Sequence, residues 1–256
     1  MSIHTQKMYY KDPFLYECEA TVLEIRNNNE VCLDRTVAYP EGGGQISDVG
    51  IFSINNYEIP FYDVKKGYGR VLNVKDFPTV NVDTPVYHVI DAENIDKFYI
   101  DQKLKVKIDI THRMWTTLHH SAIHLALMVA SELRGDLYHK IKGCNITTEH
   151  ARLDFSLPER FSADEINIMN EKINNLISES VPVIVFPYKG ESEAWFWQCK
   201  EYICPCGGTH ITNTSQIGHA IIKRKTIGKG SERIIVSVDN PNMTPQDYHA
   251  MYDTNK

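Results

Sequence analysis

Residues 103–134 read KLKVKIDITHRMWTTLHHSAIHLALMVASELR, and the hydrophobic period changes in the middle of the string. From Lys103 to Ile108, lysine alternates with Leu, Val and Ile, the pattern of a strand with one wet, basic face and one buried face. From Thr111 to Arg134 there is neither Gly nor Pro. Met114, Leu118, Leu125 and Met128, with Trp115 and Ala122 between them, recur there at helical spacing. Thr111 is suited to cap this helix and Gly135 to stop it. The chain is therefore predicted to divide near Asp109, into residues 1–109 and 110–256.

Working outward toward the N-terminus, short Val-, Ile- and Tyr-rich runs at 20–25, 30–33, 51–54, 59–64, 86–90 and 104–108 are separated by Asn- and Gly-rich turns. Several short strands at this spacing predict a small β-barrel. Toward the C-terminus, Ser162 with Glu165 three residues on forms a capping-box pattern that opens a helix to about Ser178. Strand-like runs at 151–155, 181–186, 217–223 and 233–238 surround it. The predicted class is α+β: an N-terminal β-barrel, then helices set against an antiparallel sheet. Pro241, Pro245 and the polar residues beyond them predict a loosely held C-terminus.

Of 256 residues 42% are hydrophobic and 23% charged, which excludes wholesale disorder. The net charge of −6 argues against an indiscriminate DNA or RNA binder. Local basic patches remain: Lys103, Lys105 and Lys107; Arg134, Lys140 and Lys142; and Lys223, Arg224, Lys225, Lys229 and Arg233. The longest nearly apolar run, 122–130, contains His124 and is too short to cross a bilayer. Residues 1–20 carry no apolar signal core, and six cysteines are too few for a disulfide scaffold. A cytoplasmic protein whose cysteines are thiols or metal ligands is expected.

His120 and His124 are four apart on the predicted helix, so they share one face about 5–6 Å apart. Such a pair either packs in a hydrogen-bonded core or ligates a metal; His119 points about 100° away and reads as a surface or supporting residue. Further on comes Cys206-Gly207-Gly208-Thr209-His210. Two glycines let a thiolate and an imidazole fold back around one ion. Three imidazoles and one thiolate form a borderline-soft tetrahedral set that suits Zn²⁺ better than Mg²⁺ or Ca²⁺. Cys204 and Cys199 compete with Cys206 as the sulfur donor. Gly42-Gly43-Gly44, flanked by Tyr39, Glu41, Gln45 and Asp48, reads either as a ligand-facing loop or as a strained barrel corner.

Four strings occur in order: LDRTVAYPEGGGQISDVG at 33–50, HSAIHL at 120–125, RLDFS at 152–156 and CGGTH at 206–210. Together they resemble the editing domain of alanyl-tRNA synthetase and its freestanding AlaX relatives. No synthetase core precedes them here, so the resemblance is to the medium-sized AlaX type. It implies hydrolysis of the ester linking serine, or glycine, to tRNA-Ala, with the tRNA and no membrane as partner. It implies a zinc ion, about one per chain, on His120, His124, Cys206 and His210, with His120, His124 and Cys206 also serving the chemistry. It places Thr36 near the serine hydroxyl and Gly42, Gly43, Gly44, Gln45, Asp48, Gly207 and Gly208 around the substrate. The charge pattern assigns Lys223, Lys225, Lys229 and Arg233 to tRNA phosphates. Ile123, Ala126 and Glu132 depart from residues usual in the family. Glu41, Asp48 and Glu132 are the candidate general bases. A non-catalytic zinc-stabilised RNA-binding module and a deacylase of another small aminoacyl ester are the competing readings, and the oligomeric state is left open.

Overall fold

A computed structural model describes residues 3–254. All six predicted N-terminal runs are strands of one closed antiparallel barrel, in the order Lys103–Ile108, Glu17–Arg26, Glu30–Leu33, Val86–Ile90, Tyr57–Lys66 and Gly50–Ile54, which pairs back onto the first. In Lys103–Ile108 the three lysines are exposed and Leu104, Val106 and Ile108 are buried. Val22, Leu33, Phe52, Ile59, Phe61 and Val106 fill the interior from alternate positions, as a small barrel requires.

Asp109 alone separates the last barrel strand from helix α1, Ile110–Arg134. The cap is Asp109 rather than Thr111: its carboxylate accepts the His112 N–H at 3.0 Å. Gly135 ends the helix with φ +77°. Helix α2, Ala163–Ser178, carries the predicted capping box, with Ser162 Oγ accepting the Glu165 N–H at 3.1 Å. The helices lie on a four-stranded antiparallel sheet ordered Ile141–Ile146, Ala151–Ser156, Ser231–Asp239, His219–Thr226. Between them Leu118, Leu125, Phe155, Ile173, Ile222 and Val236 form a second core. A three-stranded sheet, Val183–Pro187, Trp195–Cys199 and Tyr202–Pro205, flanks α1.

Several strands escape the sequence pattern. The Trp195–Cys199/Tyr202–Pro205 hairpin turns at Lys200, with φ +50°, where Asn or Gly is the usual signal. The hairpin Arg70–Val74/Phe77–Val82 stands outside the barrel and buries only Leu72, Phe77 and Val82. The expectation of a loose C-terminus is corrected as far as Tyr248; residues 255–256 of the polar tail lie outside the described residues. Helix α3, Pro245–Thr254, seats a fully buried Tyr248 edge-on against Phe14 at 5.1 Å, with its hydroxyl donated to the Pro13 carbonyl. One aromatic anchor outweighs the polar composition around it. Among the described residues no helix is long and apolar enough to cross a membrane.

Candidate metal centre

Three segments converge. Helix α1 supplies His120 and His124, packed between the sheets and only 2% and 8% exposed. The strand Tyr202–Pro205 runs out into the CGGTH loop, and the Cys206 N–H donates to the Trp195 carbonyl at 2.8 Å, extending the hairpin to the first ligand. The glycine segment 42–45 leaves the barrel and docks on the sheet edge: the Ile146 N–H donates to the Gly44 carbonyl at 2.7 Å, and the Ile46 N–H to the Ile146 carbonyl at 3.1 Å. Gly44 is required there twice over: its φ is +85°, and a Cβ would lie 2.8 Å from the Cys144 side chain.

The ligand atoms of His120, His124, Cys206 and His210 all lie within 4.8 Å of one another, and the set could hold a metal ion. Cys206 Sγ is 3.4 Å from His120 Nε2 and 3.2 Å from His210 Nε2. Outer contacts fix the rings. His120 Nδ1 donates to Gln45 Oε1 at 2.7 Å, and His210 Nδ1 lies 3.3 Å from Ser121 Oγ. Gln45 Oε1 also accepts the Thr209 N–H at 3.1 Å while its Nε2 donates to Thr209 Oγ1 at 3.0 Å. One amide therefore holds a ligand of the helix and the loop carrying two more, the kind of support that sets ligand orientation. Trp197, fully buried, stacks on His124 at 4.8 Å, and Cys204 Sγ lies 3.3 Å from His124 Nδ1.

Burial sets the charge states. It pushes His120 and His210 well down and His124 to about 3, so all three imidazoles are neutral and their lone pairs free. It pushes the Cys206 thiol up to about 12, so a thiolate in this hollow needs a cation beside it. A cavity of about 660 Å³ opens onto the cluster, its wall including His120, His124, Cys206, Gly42, Gly43 and Gly207.

Other expected residues lie elsewhere. Thr36 is fully buried, its hydroxyl 2.8 Å from His88 Nε2 and accepting the Ala38 N–H at 3.0 Å; it does not line the cavity. Asp48 is fully engaged with Arg113 Nε at 3.0 and 3.1 Å and with the Tyr39 N–H at 2.6 Å. Glu41 is exposed, and Glu132 pairs with Lys172 at 2.6 Å. Lys223, Lys225 and Lys229 are exposed, but Arg233 is bound through two nitrogens to Asp154 at 2.5 and 2.8 Å and Arg224 to Glu232 at 2.6 and 3.0 Å. His119 is not a surface residue: it is 1% exposed and accepts the Val238 N–H on Nε2 at 3.2 Å, because α1 is buried on more than one face. The sequence reading missed Ser121, Thr209 and Trp197 as supports. Ser121 adjoins His120 in the chain, but only the fold brings it to His210.

The model of the threonyl and alanyl tRNA synthetase second additional domain matches residues 196–235, which include the CGGTH loop. The alanyl-tRNA editing protein AlaX-M of Pyrococcus horikoshii is 31% identical over 232 residues, covering 90% of this chain and 96% of that protein. The chain belongs to the AlaX family. Alanine–tRNA ligases also match: that of Natronomonas pharaonis is 27% identical over 98% of this chain, and that of Methanothrix thermoacetophila 31% identical over 90%. This AlaX-family chain spans only 28% and 25% of those ligases. The matched stretches contain both the glycine segment and the four-ligand cluster that the fold brings together.

Proposed function

We propose that this protein is a cytoplasmic trans-editing hydrolase that removes serine, and glycine, from mischarged tRNA-Ala with one zinc ion on His120, His124, Cys206 and His210. The observation that carries the reading is the four-ligand cluster at the wall of a cavity bordered by the glycine segment, in a chain so similar to AlaX-M. The donor set supports zinc: bonds of about 2.0–2.1 Å to nitrogen and 2.3 Å to sulfur put tetrahedral N and S ligands about 3.5 Å apart. Cys206 Sγ stands 3.2 and 3.4 Å from two ring nitrogens.

When bound, zinc would supply Lewis-acid polarisation of an ester carbonyl or of water. The chain's own residues do the rest. His120, fixed by Gln45, and His210, beside Ser121, keep the ligand nitrogens aimed at one point. The backbones of Gly42, Gly43, Gly207 and Gly208 let the ester end of the substrate approach closely, and an N-terminal domain of residues 1–109, built on the barrel, presents the first of these loops to ligands from a second domain of residues 110–256. Thr36 and Asp48 hold that loop in place. Water adds across the acyl C–O bond, releasing the free amino acid and a ribose hydroxyl.

The need for such a second site follows from the limits of binding. A pocket for alanine rejects serine, which only adds a hydroxyl, by roughly 10²-fold. An editing pocket can use that hydroxyl, because a polar group left unpaired by alanine costs about 1–3 kcal/mol. Lys223, Lys225 and Lys229, together with the 103–107 face, are proposed to meet tRNA phosphates.

Incubation with Ser-, Gly- and Ala-tRNA-Ala tests the reading. Loss of the seryl ester with Ala-tRNA-Ala spared is expected, abolished in Cys206→Ala, alongside about one zinc per chain by elemental analysis; the glycyl ester, small enough to enter but with no hydroxyl to pair, is expected to be lost more slowly than the seryl one. Equal hydrolysis of all three, or full activity in metal-free protein, overturns it.

A further inference from the structure

The cavity is far larger than a seryl group; about 660 Å³ lies in the range of about 300–1,000 Å³ that takes a drug-sized ligand. Part of its wall has nothing to do with the ligand cluster. Tyr10 and Trp195 line it as a parallel stack, centroids 5.2 Å apart and 10° from coplanar. The Trp195 ring is pinned by its Nε1–H, donated to the Ser192 carbonyl at 3.0 Å, and its own carbonyl accepts the N–H of the ligand Cys206. Tyr10 reaches the same loop: its hydroxyl is 3.1 Å from where a Cβ on Gly207 would sit. A rigid aromatic platform thus adjoins the ligand loop.

Beside it is a carboxylate shared between two ammonium groups. This is Glu193, buried at 6% exposure and also in the cavity wall. Lys7 Nζ is sequestered: it donates to Glu193 Oε1 at 2.5 Å and to the carbonyls of Thr5 and Thr84. Thr84 spends further capacity of the carboxylate, giving its N–H to Oε1 and its hydroxyl to Oε2, both at 2.9 Å. Lys66 stands 3.2 Å from Oε2 as its one partner among the described residues, with its side chain 30% exposed on the cavity wall. One carboxylate therefore contacts two cations, and the more exposed of them is Lys66, facing the cavity.

A flat aromatic surface and a partly exposed ammonium in one cavity wall are the chemistry that seats a nucleotide, base on ring and phosphate on cation. We propose that Trp195, backed by Tyr10, and Lys66 form a subsite for the terminal nucleotide of the aminoacyl-tRNA, the base on Trp195 and its 5′-phosphate on Lys66, with the acylated ribose toward Cys206. The assignment rests on the deacylase reading above. Base stacking tolerates any base, so this subsite reads the class of ligand, a nucleotide, rather than its sequence.

Two small substrates separate its parts: 2′(3′)-O-seryl-adenosine and the same ester carrying a 5′-phosphate. Wild type is expected to show a KM about tenfold lower for the phosphorylated ester, and Lys66→Gln to erase that preference. Trp195→Leu raises KM for both by about tenfold, and Trp195→Phe restores most of the loss. Because Trp195→Leu also disturbs the Tyr10 stack, thermal melts accompany it, and Lys66→Gln, a change at the cavity wall, carries the test independently. Equilibrium dialysis of AMP, expected to bind wild type and to weaken about tenfold in Lys66→Gln, reads the same subsite without any ester. Ester hydrolysis whose phosphate preference survives in Lys66→Gln, with AMP binding unchanged, removes the subsite and leaves the deacylase. AMP binding that depends on Lys66 and Trp195, with no ester of any kind hydrolysed, keeps the subsite and removes the deacylase.

Discussion

Two glycine-bearing loops meet beside His120 on helix α1, and they are built on different principles. The CGGTH loop gives ligands: Cys206 and His210 belong to the cluster, and Gly208 is small because His120 lies where its side chain would be. The 42–45 segment gives none. It is tied to α1 by Asp48 on the buried Arg113 and acts on the cluster through one amide, Gln45. The 42–45 segment is held by a permanent salt bridge, whereas the CGGTH loop, besides its hydrogen bonds to Gln45 and Trp195, carries two groups that a bound ion would draw to α1. Metal removal should therefore loosen the CGGTH loop more than the 42–45 segment, and variants can test each tie alone.

The largest effect is expected at the salt bridge. Asp48→Ala leaves the fully buried Arg113 guanidinium without its carboxylate and strips the Tyr39 N–H of its acceptor. Removing one partner of a buried pair costs about 3–5 kcal/mol. Urea unfolding of metal-free protein should show that loss undiminished, since no part of it runs through the ligands. A loss that appears only in metal-loaded protein would merge the two ties into one.

The next effect is steric. A Cβ on Gly208 would lie 2.0 Å from His120 Cε1 and 2.4 Å from Nδ1, so Gly208→Ala must displace a ligand ring held on its other side by α1. Overpacking of this kind costs about 1–3 kcal/mol, and the displaced ring should drop metal content well below one per chain. Gly207→Ala is the control: its Cβ would meet the hydroxyl of Tyr10 at 3.1 Å, a closer fit to be relieved by a few tenths of an ångström and one that touches no ligand ring. Equal metal content in the two variants would break the argument that space at His120 is what position 208 supplies.

Gln45→Leu sharpens the comparison from the barrel side. It keeps all four ligands and removes only the acceptor of His120 Nδ1–H and the bridge to Thr209. Loss of such a support weakens metal binding by about 10–100-fold, measured by competition with a chromogenic chelator. Wild-type affinity would mean that packing alone orients His120.

How much of this was legible in the sequence follows the range of the interactions. All six barrel strands were readable, because period-2 patterning with Asn and Gly turns is local, and so was the α2 capping box, a three-residue signal. The ligand pairs were readable as i, i+4 on a helix and as a cysteine and histidine around two glycines; that they meet rested on the chemistry of the combined donor set, which the resemblance then reinforced. What stayed hidden depends on contacts distant in the chain. Gln45 touches His120 across 75 residues, and Glu193 bridges Lys7 and Thr84. Arg233 read as a free cation because Asp154 pairs with it only through adjacent strands. The anchor at Tyr248 defeated composition for the same reason, whereas the Lys200 turn is local and was hidden because lysine is not the residue a positive φ usually takes.

The smallest effect lies outside both loops and calibrates them. Glu165 receives two hydrogen bonds from Arg134 at 2.6 Å and closes the α2 capping box on the Ser162 N–H at 2.7 Å. Arg134 foremost, then the cap, pushes its carboxyl down to about 2. A carboxylate lowered in the folded state adds stability above its unfolded pKa of about 4.3, and that stability is lost as pH falls through about 2. The group is partly solvated, so screening holds the contribution below about 1 kcal/mol. The stability difference between wild type and Glu165→Gln, in which the other carboxylates cancel, should thus be small at pH 5 and shrink steadily toward pH 2. A difference that grows on acidification would reverse the sign and place the stabilisation in the protonated acid. One of several kcal/mol at pH 5 would put a solvated cap on a par with the buried Asp48–Arg113 tie, and the distinction between the two kinds of restraint would lose its energetic basis.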